Sequence, residues 1–545
     1  MTEPQLLRPA ELESSELDWS GRWRGADIWD VLTAARDGDV RRLRALIEND
    51  PTIVDAAFFY TSPIHFAVRE GHLEATQLLV DAGADVIHQS GIYGNETLRQ
   101  TAIDRGHGEV ADYLRAQLRT RFSSEGTKHA IHEAVESGDL EEVERLLDED
   151  PGLSDRGDHL GRRPLHYAVE AGRRDLVDVL LDHGGGIDST GFSSDDRLGG
   201  GGFRPVILAL WHHPYWRQRN DYELVRHLLD RGAEPTITVA AALGDEARVS
   251  ELLSRDGSLA NDQESGGKRP LSAAAERNHE SIVRSLLAAG ADPNLPEGPN
   301  CPRGYALWAA SHFGHREVAE ILLDAGADPN ADVESSGTPT ESAADPELRT
   351  LLYRYGGRMR LGAHFSRGDT DTIAALVDAK PEMFHEGAAA LGFTHCVKAG
   401  HESLLRLLLA RGLRVPEVVT GCQTYLWDSA KLARLLLEHG MDPNLPNWQQ
   451  VRPLHHMAAR GEIDKAELFL EFGADPDAID EEYRSTPLGW AARCGQTSFV
   501  RFLMSTKSHG NPTEAQSMAP APAWAQPIEW ARRRGYMDIV DLLDA

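Results

Sequence analysis

Histidine is the side chain in this sequence that most readily suggests chemistry, because imidazole can bind a metal ion or transfer a proton near neutral pH. Four histidines recur in similar local sequences, namely His65, His132, His166 and His455. Adjacent pairs occur at 212–213 and 455–456, but neighbouring residues of a helix point apart and no third ligand follows at metal-site spacing. The pattern favours structural histidines, and we predict no metal site.

A run of four glycines, Gly199 to Gly202, lies just before Phe203-Arg204-Pro205 and invites comparison with a phosphate-binding loop. Such a loop needs a following lysine and serine or threonine, or a strand–turn–helix setting, and neither is present. The sequence also lacks G-x-S-x-G, H-E-x-x-H and a paired Cys/His nucleophile. We therefore interpret the run as an extended loop and predict no cofactor, no catalytic residue and no enzymatic activity.

The composition narrows the classes of partner. The chain has 86 acidic and 56 basic side chains, and its formal net charge of −30 repels the phosphate backbone of nucleic acids. Four cysteines without C-x-x-C spacing argue against a zinc site or a disulfide framework. The first residues have no basic, apolar leader and no segment has eighteen consecutive apolar residues, so we predict a cytoplasmic protein without membrane contact.

The elements that must position any site follow a fixed repeat. The stretch Ser62 to Asp85, SPIHFAVREGHLEATQLLVDAGAD, predicts a short helix after Pro63, a break at Gly71 and a second helix that ends at Gly83. The same frame returns from Arg163, Arg269, Tyr305, Arg452 and Thr486. The glycine breaks at Gly38, Gly71, Gly106, Gly138 and Gly172 lie 33, 35, 32 and 34 residues apart. One helix pair cannot bury its apolar side alone, so the sequence predicts a stack of pairs.

A period near 33 with a T-P-L-H-x-A signature resembles the ankyrin repeat family, in its bacterial multi-repeat form. The resemblance implies an all-α solenoid of about sixteen helix–turn–helix repeats stacked in a curved superhelix. It also implies that the histidine of the T-P-L-H motif ties neighbouring turns together by backbone hydrogen bonds. Ankyrin repeats are known as interaction scaffolds, so we expect a protein–protein interaction scaffold, although the fold does not name its partner.

The repeats also set the expected boundaries. Residues 1–26 should form an acidic tail or a strip packed over the first repeat, and residues 27–545 one continuous, monomeric solenoid. We expect irregular inserts at 189–221 and 508–525. The charged final repeat, 526–545, suits a terminal cap.

The first insert is seven residues longer than an ordinary repeat between its turn proline and its glycine-break position. Its aromatic residues Trp211, Tyr215 and Trp216 are of the types that dominate protein interfaces, and insertions in repeat proteins often lie on the binding face. These side chains could instead fill a gap between splayed helices.

A different class of function is also open for this insert. The 199–216 module could be a receptor for a small ligand or an anion, or an enzyme, with Arg204, His212 and His213 converging on the bound molecule. A closed pocket with buried titratable groups would favour this alternative.

The two residues before each glycine break face the concave groove in ankyrin proteins. Toward the C-terminus these positions become basic or aromatic: His312, Phe313, Arg367, Lys398, Trp427, Arg460, Arg493 and Arg533. On so acidic a chain, such a groove suits an acidic segment of another protein, with the cations as contacts and Trp427 and Phe313 as apolar anchors. The alternative is that these arginines pair with acidic residues of adjacent repeats.

Overall fold

The protein is described by a computed structural model, which shows two compact units. Unit A comprises residues 17–23 and 30–358, and unit B comprises residues 1–16, 24–29 and 359–545. The structure describes residues 5–15, 23–59, 61–86, 97–122, 129–158, 161–191, 202–210, 221–297, 305–331, 337–381, 384, 386–415, 417–418, 423–507 and 521–545.

One repeat of unit B shows why the sequence forms helix pairs. Pro453 occupies the first position of a helix, where no backbone donor is needed, and the helix Pro453–Arg460 stops at Gly461. The φ angle of Gly461 is 71°, a left-handed conformation that glycine adopts without a steric penalty. The second helix, Ile463–Glu471, buries Ala466, Leu468 and Phe469. Because both helices are short, neighbouring repeats must cover the rest of their apolar surface.

The helices of unit A follow this plan. They are α1 Gly25–Arg36, whose first turn belongs to unit B, α2 Val40–Asn49, α3 Pro63–Arg69, α4 Leu73–Asp81, α5 Leu98–Asp104, α6 Gly108–Phe122, α7 Ala130–Ser137, α8 Leu140–Glu149, α9 Pro164–Glu170, α10 Arg174–Asp182, α11 Pro205–Leu210, α12 Tyr222–Asp230, α13 Ile237–Leu243, α14 Glu246–Arg255, α15 Pro270–Glu276, α16 Glu280–Ala288, α17 Ala306–Phe313, α18 Arg316–Asp324, α19 Pro339–Ser342 and α20 Pro346–Arg354.

Unit B continues the same plan with one irregular repeat. Its helices are α21 Leu361–Arg367, α22 Thr370–Ala379, α23 Glu386–Ala399, α24 Glu402–Ala410, α25 Ala430–Glu438, α26 Pro453–Arg460, α27 Ile463–Glu471, α28 Pro487–Arg493, α29 Thr497–Lys507, α30 Pro527–Arg534 and α31 Met537–Asp544. A 3₁₀ segment, Gln423–Trp427, replaces the first helix of the pair that ends with α25. In the described part of the chain the helices form sixteen pairs, which confirms the predicted all-α ankyrin fold.

The recurring histidines hold successive repeats together, as predicted. In His166 and His455, Nδ1 accepts the backbone N–H three residues earlier, at 3.2 Å in both cases. The proton of a neutral imidazole must then lie on Nε2, which donates to the carbonyl of Phe203 at 3.0 Å and of Ala478 at 3.0 Å. Burial lowers the pKa of both histidines to about 3, so the rings are neutral at pH 7.

A second set of side chains links each repeat to the preceding one, and sequence reasoning missed it. The Nε2 atom of His401 lies 2.9 Å from the carbonyl oxygen of Ser366, at the end of the previous first helix. The corresponding contacts are made by His72, His107, His279, His315 and Gln496. The ring of His401 covers Gly368, where an added Cβ would lie 2.8 Å from Nδ1. The glycine break therefore provides both a left-handed turn and space for this ring.

Asparagine provides a third link, in the loops between repeats. The Nδ2 atom of Asn261 donates to the carbonyl of Gly290 at 2.9 Å, and its Oδ1 accepts the N–H of Asp292 at 2.8 Å. Equivalent pairs of hydrogen bonds are made by Asn294, Asn330 and Asn444. Each asparagine thus holds the loop of the next repeat through two main-chain groups.

The stabilities of Gly368→Ala and Gly400→Ala, compared with each other, measure how much the His401 contact contributes to the free energy of unfolding. Both glycines have positive φ, at 71° and 75°, but no atom lies within 4 Å of an added Cβ at Gly400. Both substitutions should cost about 1–2 kcal/mol for the left-handed alanine. Gly368→Ala should lose about 1 kcal/mol more, because it displaces the His401 ring from its carbonyl. Urea unfolding of the two variants measures the difference, and equal losses would contradict this role for His401.

A buried ionic cluster lies in unit A. Lys268, whose side chain is 2% exposed, places Nζ 2.8 Å from the carboxylate of Glu276 and 2.9 Å from that of Glu297. Burial raises the pKa of Glu297 to about 7, although the charge of Lys268 acts in the opposite direction. The folded protein therefore keeps a proton on this carboxyl at a pH where the unfolded chain has lost it.

This cluster predicts a stability change near neutral pH. Between the ordinary glutamate pKa and about 7, the Glu297 carboxyl holds its proton in the folded state and has lost it in the unfolded state. The contribution of Glu297 to stability therefore falls as pH rises. Relative to Glu297→Gln, the wild-type chain should lose up to about 1.4 kcal/mol per pH unit between pH 5 and 7. Thermal melting of both proteins across this range measures the effect, and parallel curves would exclude it.

Candidate protein-binding surface

The candidate surface is formed by the first helices of the repeats in unit B. Helix α21 packs beside α23, α23 beside the 3₁₀ segment, α26 beside α28, and α28 beside α30. Each first helix ends at or near a glycine or an irregular turn, so its last residues stand at equivalent positions of the repeats. Cations are favoured at these positions because the carbonyl end of a helix carries partial negative charge.

Three of the predicted contact residues are exposed at these helix ends: Arg367, Lys398 and Arg460. Lys398 donates to the hydroxyl of Tyr425 at 2.9 Å, and its Nζ lies 4.0 Å from the centre of that ring. Within the ranges that the structure describes, no carboxylate forms an ion pair with any of the three. The alternative that acidic residues of adjacent repeats neutralise these cations is therefore not supported for them.

Arg493 differs from these three because it is buried. Its side chain is 5% exposed, and its guanidinium carbon lies 4.0 Å from the ring centre of Tyr483 and 5.6 Å from that of Trp530. Arg493 thus packs within an arginine–aromatic cluster, and the expectation of a freely accessible contact is wrong for this residue. Arg533 belongs to the same cluster, is half-buried, and donates to the carbonyl of Trp524.

Trp427 is also buried, which differs from its predicted role. It was expected to be an apolar anchor in the groove, but its side chain is 0% exposed and packs against Phe469 and His456, with ring centres 5.8 and 5.7 Å away. The physical reason is local. The repeat has Asp428 where a glycine break is expected and forms the 3₁₀ segment Gln423–Trp427, so the tryptophan lies in the core.

The two predicted aromatic contacts of unit A form a cluster of their own. The ring of His312 is stacked on Trp308 with centres 4.7 Å apart and meets Phe313 edge-on at 4.9 Å. Partial burial lowers the pKa of His312, against the opposing charge of Glu276, and so favours the neutral ring. This cluster offers a flat, partly exposed aromatic surface without positive charge.

The predicted 189–221 insert is only partly described. Trp211, Tyr215 and Trp216 lie outside the described residues, as do His212 and His213. Arg204 is described, and it is buried. Its guanidinium donates to Glu264 at 2.8 and 3.1 Å and to Asp188 at 2.8 Å. Since carboxylates already bind this arginine, it does not support an anion receptor.

Sequence reasoning also missed residues that shape the surface. Tyr425 orients Lys398, and the ring of Trp530 is approached by three guanidinium groups, those of Arg493, Arg533 and Arg534, at 4.4 to 5.6 Å. The run Arg532-Arg533-Arg534 directly after Trp530 was a usable signal, because arginine commonly stacks on tryptophan.

Stacked helix pairs, glycine breaks and inter-repeat imidazoles define the class of ankyrin-type repeat proteins. The sequence profile described as "Ankyrin repeats (3 copies)" matches residues 31–125, 101–192, 131–239, 213–297, 237–333 and 422–516. These matches cover well over half of the sequence. The chain belongs to the ankyrin repeat family.

Several curated proteins share short segments with this chain. The Probable E3 ubiquitin-protein ligase XBOS33 of Oryza sativa subsp. japonica is 35% identical over 122 residues, which are 22% of this chain and 23% of that protein. Ankyrin repeat domain-containing protein 63 of Homo sapiens is 37% identical over 75 residues, 14% of this chain and 20% of that protein. Palmitoyltransferase Hip14 of Drosophila melanogaster is 42% identical over 72 residues, 13% and 11% respectively.

The chain spans less than a quarter of the length of these relatives, so the likeness covers repeats alone. Ankyrin repeats are non-catalytic and indicate a protein-interaction scaffold. None of the helices in the described ranges is both long and apolar enough to cross a membrane.

Separate alanine substitutions of Arg460 and Arg493 test whether Arg460 lies on the surface and Arg493 in the core. Arg460→Ala should change the free energy of unfolding by less than about 0.5 kcal/mol, because the side chain is exposed and makes no ion pair with a described residue. Arg493→Ala should cost about 2–4 kcal/mol, since it removes a buried side chain from between two aromatic rings. Chemical denaturation of both variants measures these values, and equal effects would refute the distinction.

Proposed function

We propose that this chain is a non-enzymatic scaffold that binds an acidic segment of another protein along the first helices of unit B. The observation that supports this proposal is the row of exposed cations Arg367, Lys398 and Arg460, which no described carboxylate pairs with. The net charge of −30 makes such a row exceptional. An acidic segment would gain favourable electrostatic energy there and be repelled elsewhere.

The second helices of the same unit provide the contrast. Three arginines of these helices and their C-terminal ends are neutralised within the fold: Arg406 lies 2.8 Å from Glu402, Arg411 2.8 Å from Asp378, and Arg434 2.8 Å from Glu471. These three cations are paired with carboxylates, whereas Arg367, Lys398 and Arg460 are not paired with any described carboxylate. Unpaired cations on the first helices remain available to a partner.

Tyr425 makes one of these contacts more specific. Lys398 is already held against the ring and hydroxyl of Tyr425. Binding a carboxylate therefore costs this side chain less conformational entropy than it would cost a lysine without these contacts.

We also propose that the protein is cytoplasmic and monomeric. Cys396 and Cys494 are thiols and not disulfide partners, which agrees with a reducing compartment.

The experiment uses the full chain and a fluorescein-labelled oligo-glutamate peptide, with an oligo-lysine peptide as the second probe. Lys398→Glu combined with Arg460→Glu should weaken oligo-glutamate binding at least about tenfold, because two attractive contacts become repulsive. Fluorescence anisotropy at low and at physiological salt gives the affinities, and the wild-type affinity should fall as salt rises.

Arg406→Glu combined with Arg434→Glu is the matched control, since it makes the same total charge change on two exposed second-helix arginines of the same unit. It should change the affinity by less than about twofold. If the control weakens binding as much as the Lys398 and Arg460 substitutions, net charge alone is responsible and the surface is assigned wrongly. Oligo-lysine should bind the acidic parts of the surface, so the Lys398 and Arg460 substitutions should not weaken its binding. An equal loss of affinity for both probes would also contradict the proposal.

A further inference from the structure

Residues 5–14, which we call the strap, lie against a loop of unit B far away in sequence. The backbone N–H of Leu7 donates to the carbonyl of Trp448 at 2.8 Å. The side-chain amide of Gln450 donates to the carbonyl of Gln5 at 3.2 Å, across a separation of 445 residues. The strap therefore lies alongside this loop as a segment bound partly through its main chain.

The loop, residues 447–451, is built to present these groups. Asn447 Oδ1 accepts the N–H groups of Gln449 at 3.0 Å and Val451 at 2.9 Å, and the Asn447 N–H donates to the Val451 carbonyl at 3.0 Å. The φ angle of Gln450 is 60°, an unfavourable conformation for a residue other than glycine. The turn is thus closed by its own hydrogen bonds, while the Trp448 carbonyl and the Gln450 amide face the strap.

The other side of the strap packs on the start of α1. Leu12 is 1% exposed and Pro9 is buried. An added Cβ at Gly25 would lie 1.9 Å from the carbonyl oxygen of Glu11, so only glycine fits beneath the strap. The Arg8 guanidinium lies 5.6 Å from the centre of the Trp29 ring. The site therefore combines main-chain pairing with an apolar contact.

We infer that the 447–451 loop is a docking site for a peptide segment that ends in a 3₁₀ turn, and that the strap is its resident, displaceable occupant. A site that binds through one backbone N–H, one backbone carbonyl and a buried leucine recognises a segment with an apolar residue five positions after the bonded amide, which the strap places through the 3₁₀ turn Ala10–Leu12. The strap is joined to its site by chain connectivity, and a competing segment must overcome that advantage. This inference does not depend on the cations of the first helices.

The test uses full chains and a fluorescein-labelled peptide of residues 1–16. In the wild-type chain the tethered strap fills the site, so the free peptide should bind weakly. Leu12→Glu should release the strap and raise the affinity for the peptide at least about tenfold, because the intramolecular competitor is gone. Glu13→Ala changes an exposed neighbour in the strap and should leave the affinity unchanged.

A second substitution locates the site. In the Leu12→Glu background, Gly25→Ala should abolish peptide binding, because the new methyl group collides with the docked backbone. Gly108→Ala is the matched control: Gly108 also begins a helix, and no atom lies within 4 Å of an added Cβ. Leu7→Pro is an independent way to release the strap, since it removes the donor to Trp448 and leaves Leu12 in place.

Hydrogen exchange and circular dichroism complete the test. The Leu7 amide should be protected in the wild-type chain and exchange faster in the Leu12→Glu chain, while the helical content stays the same. Peptide affinity that is no higher in both released chains than in the wild type would overturn the inference. Binding that survives Gly25→Ala would overturn it as well. The oligo-glutamate probe reports on the first-helix cations separately, so either proposal can fail alone.

Discussion

A neutral imidazole fixed between main-chain groups of two repeats is the interaction on which this fold depends. His166 and His455 each accept one backbone N–H and donate to a carbonyl beyond their own helix. A positively charged imidazole has no free nitrogen lone pair to accept the backbone N–H. An exposed ring would replace these hydrogen bonds with hydrogen bonds to water. Burial keeps the imidazole neutral, and neutrality gives it one donor and one acceptor. The helix pairs are consequently held in a fixed register, and side chains at equivalent positions form a row.

The sequence was sufficient for features that depend on residues within one repeat. Pro453 and Gly461 each act on their own turn, so the helix pairs and their number could be predicted, while the role of His455 followed from its place in the T-P-L-H motif. The role of His401 could not be predicted in this way, because its partners, Gly368 and the Ser366 carbonyl, belong to the previous repeat.

The site was predicted less well than the fold, and position within the last helical turn explains part of the difference. Arg367 and Arg460 immediately precede the glycine and are exposed. Arg69 and Arg493 stand one residue earlier; both are buried, and each lies over an aromatic ring. Lys398 stands at the same position and also lies over a ring, that of Tyr425, but it is exposed. Successive residues of a helix are rotated by about 100°, so the side chains at these two positions point in different directions. The strap was unpredictable for another reason, since no local pattern in residues 5–14 indicates a partner near residue 448.

The asparagine links are interrupted where unit A ends. Asn330 holds the N–H of Arg358, the last residue of that unit, and the sequence contains no further asparagine before Asn444. The repeats between Arg358 and Asn444 therefore lack the asparagine link that the adjacent repeats have. Under a stretching force, repeats without this link should separate before the linked ones. Extension under load would therefore proceed in steps, and the order of the steps would follow where asparagine occurs in the loops.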